Sequence, residues 1–363
     1  MSLLTNYTDP SFIKIAQYVF KEQFKMDPQL YEEMNERRQK AMYDDVVYNI
    51  SFLMTAIQFE DKDIFEHYAV WLYELLTHLM PDLDRDRIMQ QMIDHYMILS
   101  KTLMMTDLLT DSEKELAQAY LKAASEVTRA AVTNVAVSTS FEEGPFYEYR
   151  RDYLDALLCS DIERAHELIQ NAYHDGISIP IIYESILKKT MHEIGVLWHQ
   201  NDITVDREHF ATSVTQNVMA KFYDDIFQMP RKNHTLVSCT IGDELHELGI
   251  RMLSDLFEYD GWDTFYLGSS LSQDSILSAI DTHKPDVLAL SVTMPPYLGI
   301  CEAVINQVRT KYPTLNIAVG GQAFSYTDRL WERWPVDFYS TDARTTIAWA
   351  NDSVDDVGGG ASE

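Results

Sequence analysis

The sequence predicts an α/β domain preceded by two all-helical ones, and three observations carry that reading. Apolar residues recur at helical spacing through roughly the first 230 positions. A Gly144-Pro145 break divides this helical part in two. From Pro230 onward the rhythm changes to short β-rich runs alternating with helical ones.

In the first 140 residues, three amphipathic helices read through Val46, Ile50, Met54 and Ile57, then Ile64, Tyr68, Leu72 and Leu75, then Ile88, Met92, Tyr96 and Leu99. Asp111-Ser112 opens a further helix, expected to reach about Val137, with an acidic start that suits a helix N-terminus. Phe65, Tyr68, Trp71, Tyr73 and Tyr96 read as core of this domain. Residues 138–147 (STSFEEGPFY) read as a linker.

A four-helix bundle is expected over 148–229. Asp161 starts a helix that Asp175-Gly176 ends, and Pro180 suits the first turn of the next, where its missing N–H costs nothing. That helix runs through Leu187, Met191 and Ile194 to Trp198. A break at Asn201-Asp202 precedes a last helix through Phe210, Val214 and Val218.

Over 230–352, strands are expected at 236–240, 264–267, 287–292, 317–319 and 338–339, with helices near 247–259, 273–283, 297–311, 325–333 and 343–350. Five βα units in a row predict a Rossmann-like (flavodoxin-like), doubly wound parallel five-stranded sheet that binds its ligand at the carboxyl ends of the strands. Residues 353–363, which include VGGGASE, read as a disordered tail.

The bulk composition narrows the function. Of 363 residues, 46% are hydrophobic and 24% charged, which is ordinary for a globular protein. No run approaches the about 20 apolar residues of a membrane span. The N-terminus shows no secretion signal, and three scattered cysteines suit neither a disulfide scaffold nor a zinc site, so a cytoplasmic location is expected. With 29 basic against 57 acidic side chains the formal net charge is -28, which disfavours direct contact with nucleic acid or anionic lipid.

The chemistry concentrates in the first βα loop, Thr240-Ile241-Gly242-Asp243-Glu244-Leu245-His246-Glu247-Leu248-Gly249. No glycine-rich phosphate motif stands there, which argues against NAD or ATP. A histidine flanked by carboxylates stands there instead. Its imidazole can bind a metal through one nitrogen while a carboxylate orients the other, or it can simply cap the following helix.

Glu244-x-His246-x-x-Gly249 resembles the signature of cobalamin-binding domains, D/E-x-H-x-x-G, and the companion elements follow in order: Ser291 in Ser291-Val292-Thr293, then Gly320-Gly321. The serine motif departs from the common S-x-L. The resemblance implies that His246 is the lower axial ligand of cobalt, and that the displaced nucleotide tail lies along Ser291, Thr293, Gly320 and Gly321. Further upstream, Trp198 and Glu208-His209 form W-x9-E-H, which resembles the cap over the upper corrin face in CarH-type cobalamin-dependent photoreceptors. His199 matches a position that can take the upper face after light has broken the cobalt–carbon bond.

The resemblance covers about 148–350 and not the first 140 residues, where those repressors carry a basic helix-turn-helix module. It implies a non-enzymatic cobalamin sensor holding adenosylcobalamin, with methylcobalamin or hydroxocobalamin as other forms. Its signal would pass to a protein partner through the N-terminal helical domain, which could also support a homo-oligomer. The alternative is a corrinoid shuttle protein of a methyltransferase system.

Overall fold

The computed structural model of the chain describes residues 10–133 and 140–358. Parts of four expectations therefore lie outside the described residues: the start of the N-terminal domain, the last turn expected for the helix ending near Val137, the first residues of the linker, and the tail beyond Gly358. The chain forms two compact units, each assembled from separate stretches. One comprises Met1–Val135, Val292–Ala303 and Gln322–Trp334; the other comprises Ala136–Ser291, Val304–Gly321 and Pro335–Glu363.

The first unit holds helices α1 (Pro10–Met26), α2 (Pro28–Glu33), α3 (Glu36–Phe59), α4 (Asp63–Leu79), α5 (Arg85–Met104) and α6 (Asp111–Ala131). Local chemistry sets their starts. Asn35 and Asp84 cap α3 and α5, and Thr110 with Glu113 forms a reciprocal capping box on α6. Leu53, Ile64, Phe65, Leu99 and Leu121 fill the interior, and Phe52 stacks on Tyr68 at 4.0 Å. Trp71, expected in the core, is instead 37% exposed, its ring lying over Tyr68.

The α3–α4 corner is bonded to the segment 322–334. Asp61, buried, accepts the Asp328 N–H at 2.8 Å, while Arg333 donates to the Phe59 carbonyl at 2.8 Å. Trp334 packs between Phe59 and Phe324.

The second unit begins with α7 (Tyr147–Leu158), α8 (Ile162–His174), α9 (Ile179–Ile181), α10 (Lys188–His199), α11 (Val205–Met219) and α12 (Tyr223–Ile226). Asp161 caps α8 as expected. The helix expected from Pro180 to Trp198 carries a π-helical stretch at Ile182–Leu187, which shifts the register between α9 and α10. Residues 141–145 are not a free tether: the fully buried Arg150 donates to the carbonyls of Phe141, Pro145, Glu143 and Ser185 at 2.6–3.0 Å.

Five parallel strands follow: β1 (Thr235–Thr240), β2 (Asp263–Tyr266), β3 (Val287–Ser291), β4 (Asn316–Gly320) and β5 (Phe338–Tyr339), in the order β2-β1-β3-β4-β5. This is the doubly wound sheet the sequence predicts. Its helices include α13 (Leu248–Tyr259), α14 (Gln273–His283) and α15 (Leu298–Lys311).

Two expectations need correction. The helix expected at 325–333 is a short α16 (Gln322–Ser325) and a separate 3-10 turn (Leu330–Arg333), because Arg329 takes a left-handed conformation with φ 52° that interrupts any helix. The expected disordered tail is helical up to Gly358 in α17 (Ala343–Gly358). Buried Ala350, the Trp262–Asn351 hydrogen bond at 3.0 Å and the packing of Val354 hold that helix on the sheet.

Helix α13 is buried on two sides. Met252 and Leu256 enter the core of the bundle, whereas Ile250 and Phe257 pack with Leu236, Val287, Ala289 and Ala318 of the sheet. Among the described residues no helix is long and apolar enough to cross a membrane.

Candidate functional site

The carboxyl end of β1 delivers the irregular loop 241–247. His246 is exposed, with its Nδ1 3.5 Å from Oε2 of Glu244, and Glu244 is fully buried. A buried carboxylate facing one ring nitrogen orients the imidazole and leaves Nε2 for a ligand. Leu245, 62% exposed, sets an apolar side chain beside it.

Behind the loop, strand register lines up a strip of small, mostly buried residues, a trough in side-chain size. Thr240, Ser291 and Gly320 are paired in one row across β1, β3 and β4, and Ser238, Ala289 and Ala318 form the next. Paired residues of parallel strands share a face, and here that face is the one covered by α13 and by Ala350, Ile347 and Trp349 of α17. Six small residues, one of them a glycine, therefore line the carboxyl end of the three central strands. At Gly320 a Cβ would meet the Ser340 carbonyl oxygen at 2.9 Å, and Gly321 has φ +97°, so both positions require glycine. At Gly249 a Cβ would meet nothing within 4 Å, so that glycine borders open space at the start of α13.

The polar content of the trough is unusual for a parallel sheet, whose strands are normally apolar on both faces. The hydroxyls of Ser238, Thr240 and Ser254 are buried and have no hydrogen-bond partner. Ser254 follows Ile250 by four positions and precedes Phe257 by three, which puts it on the sheet-facing side of α13. Sequence reading missed all three. Two hydroxyl residues at alternate positions of a central strand were the available signal.

On the bundle, Trp198 is partly buried against the bundle core and His199 is the last residue of α10. Asn201 turns the chain with φ 59°, and Glu208 and His209 follow in the first turns of α11. Glu208 Oε2 lies 3.5 Å from His209 Nε2, and Glu208 Oε1 accepts from Thr212 at 3.1 Å. Two turns further along α11, Gln216 donates to Glu247 at 3.3 Å, beside His246. At 1.5 Å per residue, His209 stands about 10 Å along the helix from that contact. Thr293 lies past the end of β3, in the segment that belongs to the first unit.

Residues 235–348 match the family model of a B12 binding domain, and residues 149–222 match a second B12 binding domain model. The chain carries both B12 binding domains. They coincide with the sheet and with the bundle. The HTH-type transcriptional repressor CarA of Myxococcus xanthus is 29% identical over 120 residues, 33% of this chain. The chain spans 36% of the length of that curated relative. The monomethylamine corrinoid protein of Methanosarcina barkeri superposes with a TM-score of 0.50 at 15% identity, over 56% of this chain and 97% of that one, which establishes the shared fold. A cobalamin-binding protein from Desulfitobacterium hafniense matches at 17% identity and a TM-score of 0.32, over 55% of this chain and 96% of the other.

The residues of the B12 binding domains fit a corrinoid. An oriented imidazole suits cobalt, the small-residue trough suits a nucleotide tail, and its partnerless hydroxyls are the polar atoms that such a tail could satisfy.

Proposed function

We propose that this protein is a light-responsive adenosylcobalamin sensor that acts through protein–protein contact rather than by catalysis. The observation that carries this reading is the α10–α11 hairpin: Trp198 and His199 end α10, the Glu208–His209 pair stands in the first turns of α11, and the same α11 bonds Glu247 beside His246 through Gln216.

In this reading His246 would hold cobalt, with Glu244 fixing its tautomer, while Ser291, Thr293, Gly320 and Gly321 would border the tail. Gly249 leaves room at the loop. Trp198, Glu208 and His209 would cover the corrinoid from the bundle and limit the access of water to it. Adenosylcobalamin, when bound, supplies a cobalt–carbon bond that visible light can break. His199 stands ready to offer an imidazole to the upper position. A ligand shifts such an equilibrium only through unequal affinity for two arrangements, so the bundle must have two. The segments after β3 and β4 belong to the unit of the N-terminal helices, and this supports that unit as the output toward a partner protein or a second copy. The similarity to CarA supports sensing, and the acidic surface supports an output that does not involve nucleic acid.

The test is the absorption spectrum of the full chain loaded with adenosylcobalamin, before and after green light. A light-driven change to a product with nitrogen ligation on both cobalt faces is expected. No change, or a clear preference for methylcobalamin in the dark, would overturn the reading and favour a corrinoid shuttle.

A further inference from the structure

We propose that the tail trough selects the lower base of its cobamide, and that it favours a purine such as adenine over 5,6-dimethylbenzimidazole. The inference rests on the cobalamin reading of the site and adds which cobamide the site takes.

The observation is the set of three hydroxyls. Ser238 and Thr240 stand on the α13-covered face of β1, and Ser254 stands on the sheet-facing side of α13. All three side chains are at least 99% buried, and none has a partner. Serine and threonine in helices commonly return their hydroxyl to the carbonyl four residues back, as Thr55 and Thr102 do here. Ser254 does not. Leaving a buried hydroxyl unpaired costs about 1–3 kcal/mol, so three of them facing one interface call for a polar occupant.

Each hydroxyl offers one donor and two acceptor sites. A dimethylbenzimidazole released from cobalt presents a single free ring nitrogen, and the rest of its edge is hydrocarbon. It can satisfy one hydroxyl, and it leaves the others against methyl and ring carbons. Adenine presents several ring nitrogens and an exocyclic amine with two donors, so it can pair with all three. The neighbouring wall is Ala289, Ala318 and Gly320, which adds bulk to neither side of the choice. Pockets built to hydrogen-bond a ligand reject the analogue lacking those groups much more strongly than apolar pockets reject an added polar group.

The experiment titrates the full chain with two cobamides in the same hydroxo form, one with dimethylbenzimidazole and one with adenine as lower base, and reads dissociation constants from the corrinoid absorption. The adenine form is expected to bind about tenfold tighter. The Ser238→Ala/Ser254→Ala double variant should lose that ratio, as should the isosteric Thr240→Val in part, while Thr240→Ser should keep it. Equal affinities in the wild-type chain, or a ratio untouched by these variants, would overturn the inference and leave the cobalamin reading standing. If the wild-type chain binds neither cobamide, both fall.

Discussion

Tyr183 of the bundle donates a 3.0 Å hydrogen bond to Oδ2 of Asp255 on α13, one residue after the sheet-facing Ser254. The two B12 binding domains are thus joined through a carboxylate that is itself almost entirely buried. Burial pushes the Asp255 carboxyl up from 3.8 to about 6, against the opposing pull of Tyr183 and Arg251. The folded protein therefore holds this proton more tightly than the unfolded chain does. Its contribution to stability is greatest below about pH 4, falls as pH rises toward 6, and is flat above. Asp255→Asn should remove that slope and raise stability at pH 8 by about 1–3 kcal/mol. Thermal melts of both proteins from pH 4 to pH 8 check this, and parallel curves would refute it.

Arg150 offers a second test, independent of any ligand. Its guanidinium meets four backbone carbonyls and no carboxylate, with Phe141 and Tyr147 flanking it. Replacing it by Met keeps the bulk but strands those carbonyls, three of which belong to residues 141–145. A loss of about 3 kcal/mol or more is expected. Urea denaturation measures it, and faster proteolysis at 141–145 should accompany it.

How far the sequence reached follows from what kind of signal each feature leaves. Strands such as Leu236–Thr240 are legible because β-branched and apolar runs sit between turn residues, and β1 begins one residue before that expectation. The His246 loop was legible as a motif, and the structure sets the Glu244 carboxylate 3.5 Å from its imidazole. The π-helical turn at Ile182–Leu187 was not legible, because its residues also satisfy an ordinary helical period. The split of 325–333 hinged on one left-handed residue, Arg329, for which the sequence offered no glycine or asparagine. Ser238 and Thr240 were hidden for a different reason. Only strand register shows that they share a face with Ala289, Ser291 and Gly320, and register is set by tertiary pairing.

Removal of the His246 imidazole separates ligation from general packing. The side chain is more than half exposed, so His246→Ala should leave the fold intact. Reconstituted with cobalamin at neutral pH, the variant should lose the spectrum of nitrogen-ligated cobalt and bind at least tenfold more weakly. Unchanged circular dichroism together with an unchanged corrinoid spectrum would remove His246 from the site.

His199 carries the most exposed part of the proposal. It ends α10, Asn201 reverses the chain in a left-handed conformation, and α11 starts at Val205, so His199 lies two residues from the turn between the helices. Helix ends of this kind absorb changes in backbone angle more readily than the middle of a packed helix. The bundle core supports Trp198 from behind and leaves the next position, His199, on the rim. A modest movement of the α10 terminus is then enough to present the imidazole, while Glu208, held by Thr212, keeps His209 in place. His199→Leu should bind adenosylcobalamin with wild-type affinity in the dark and respond to green light, yet stop at a water-ligated product. The wild-type chain should proceed to a spectrum of two nitrogen ligands. The spectral difference after illumination should disappear when imidazole at millimolar concentration is added to the variant, because the missing group is then supplied from solution. Identical light products from both proteins would assign the upper position to another residue, and His209 would be the next to replace.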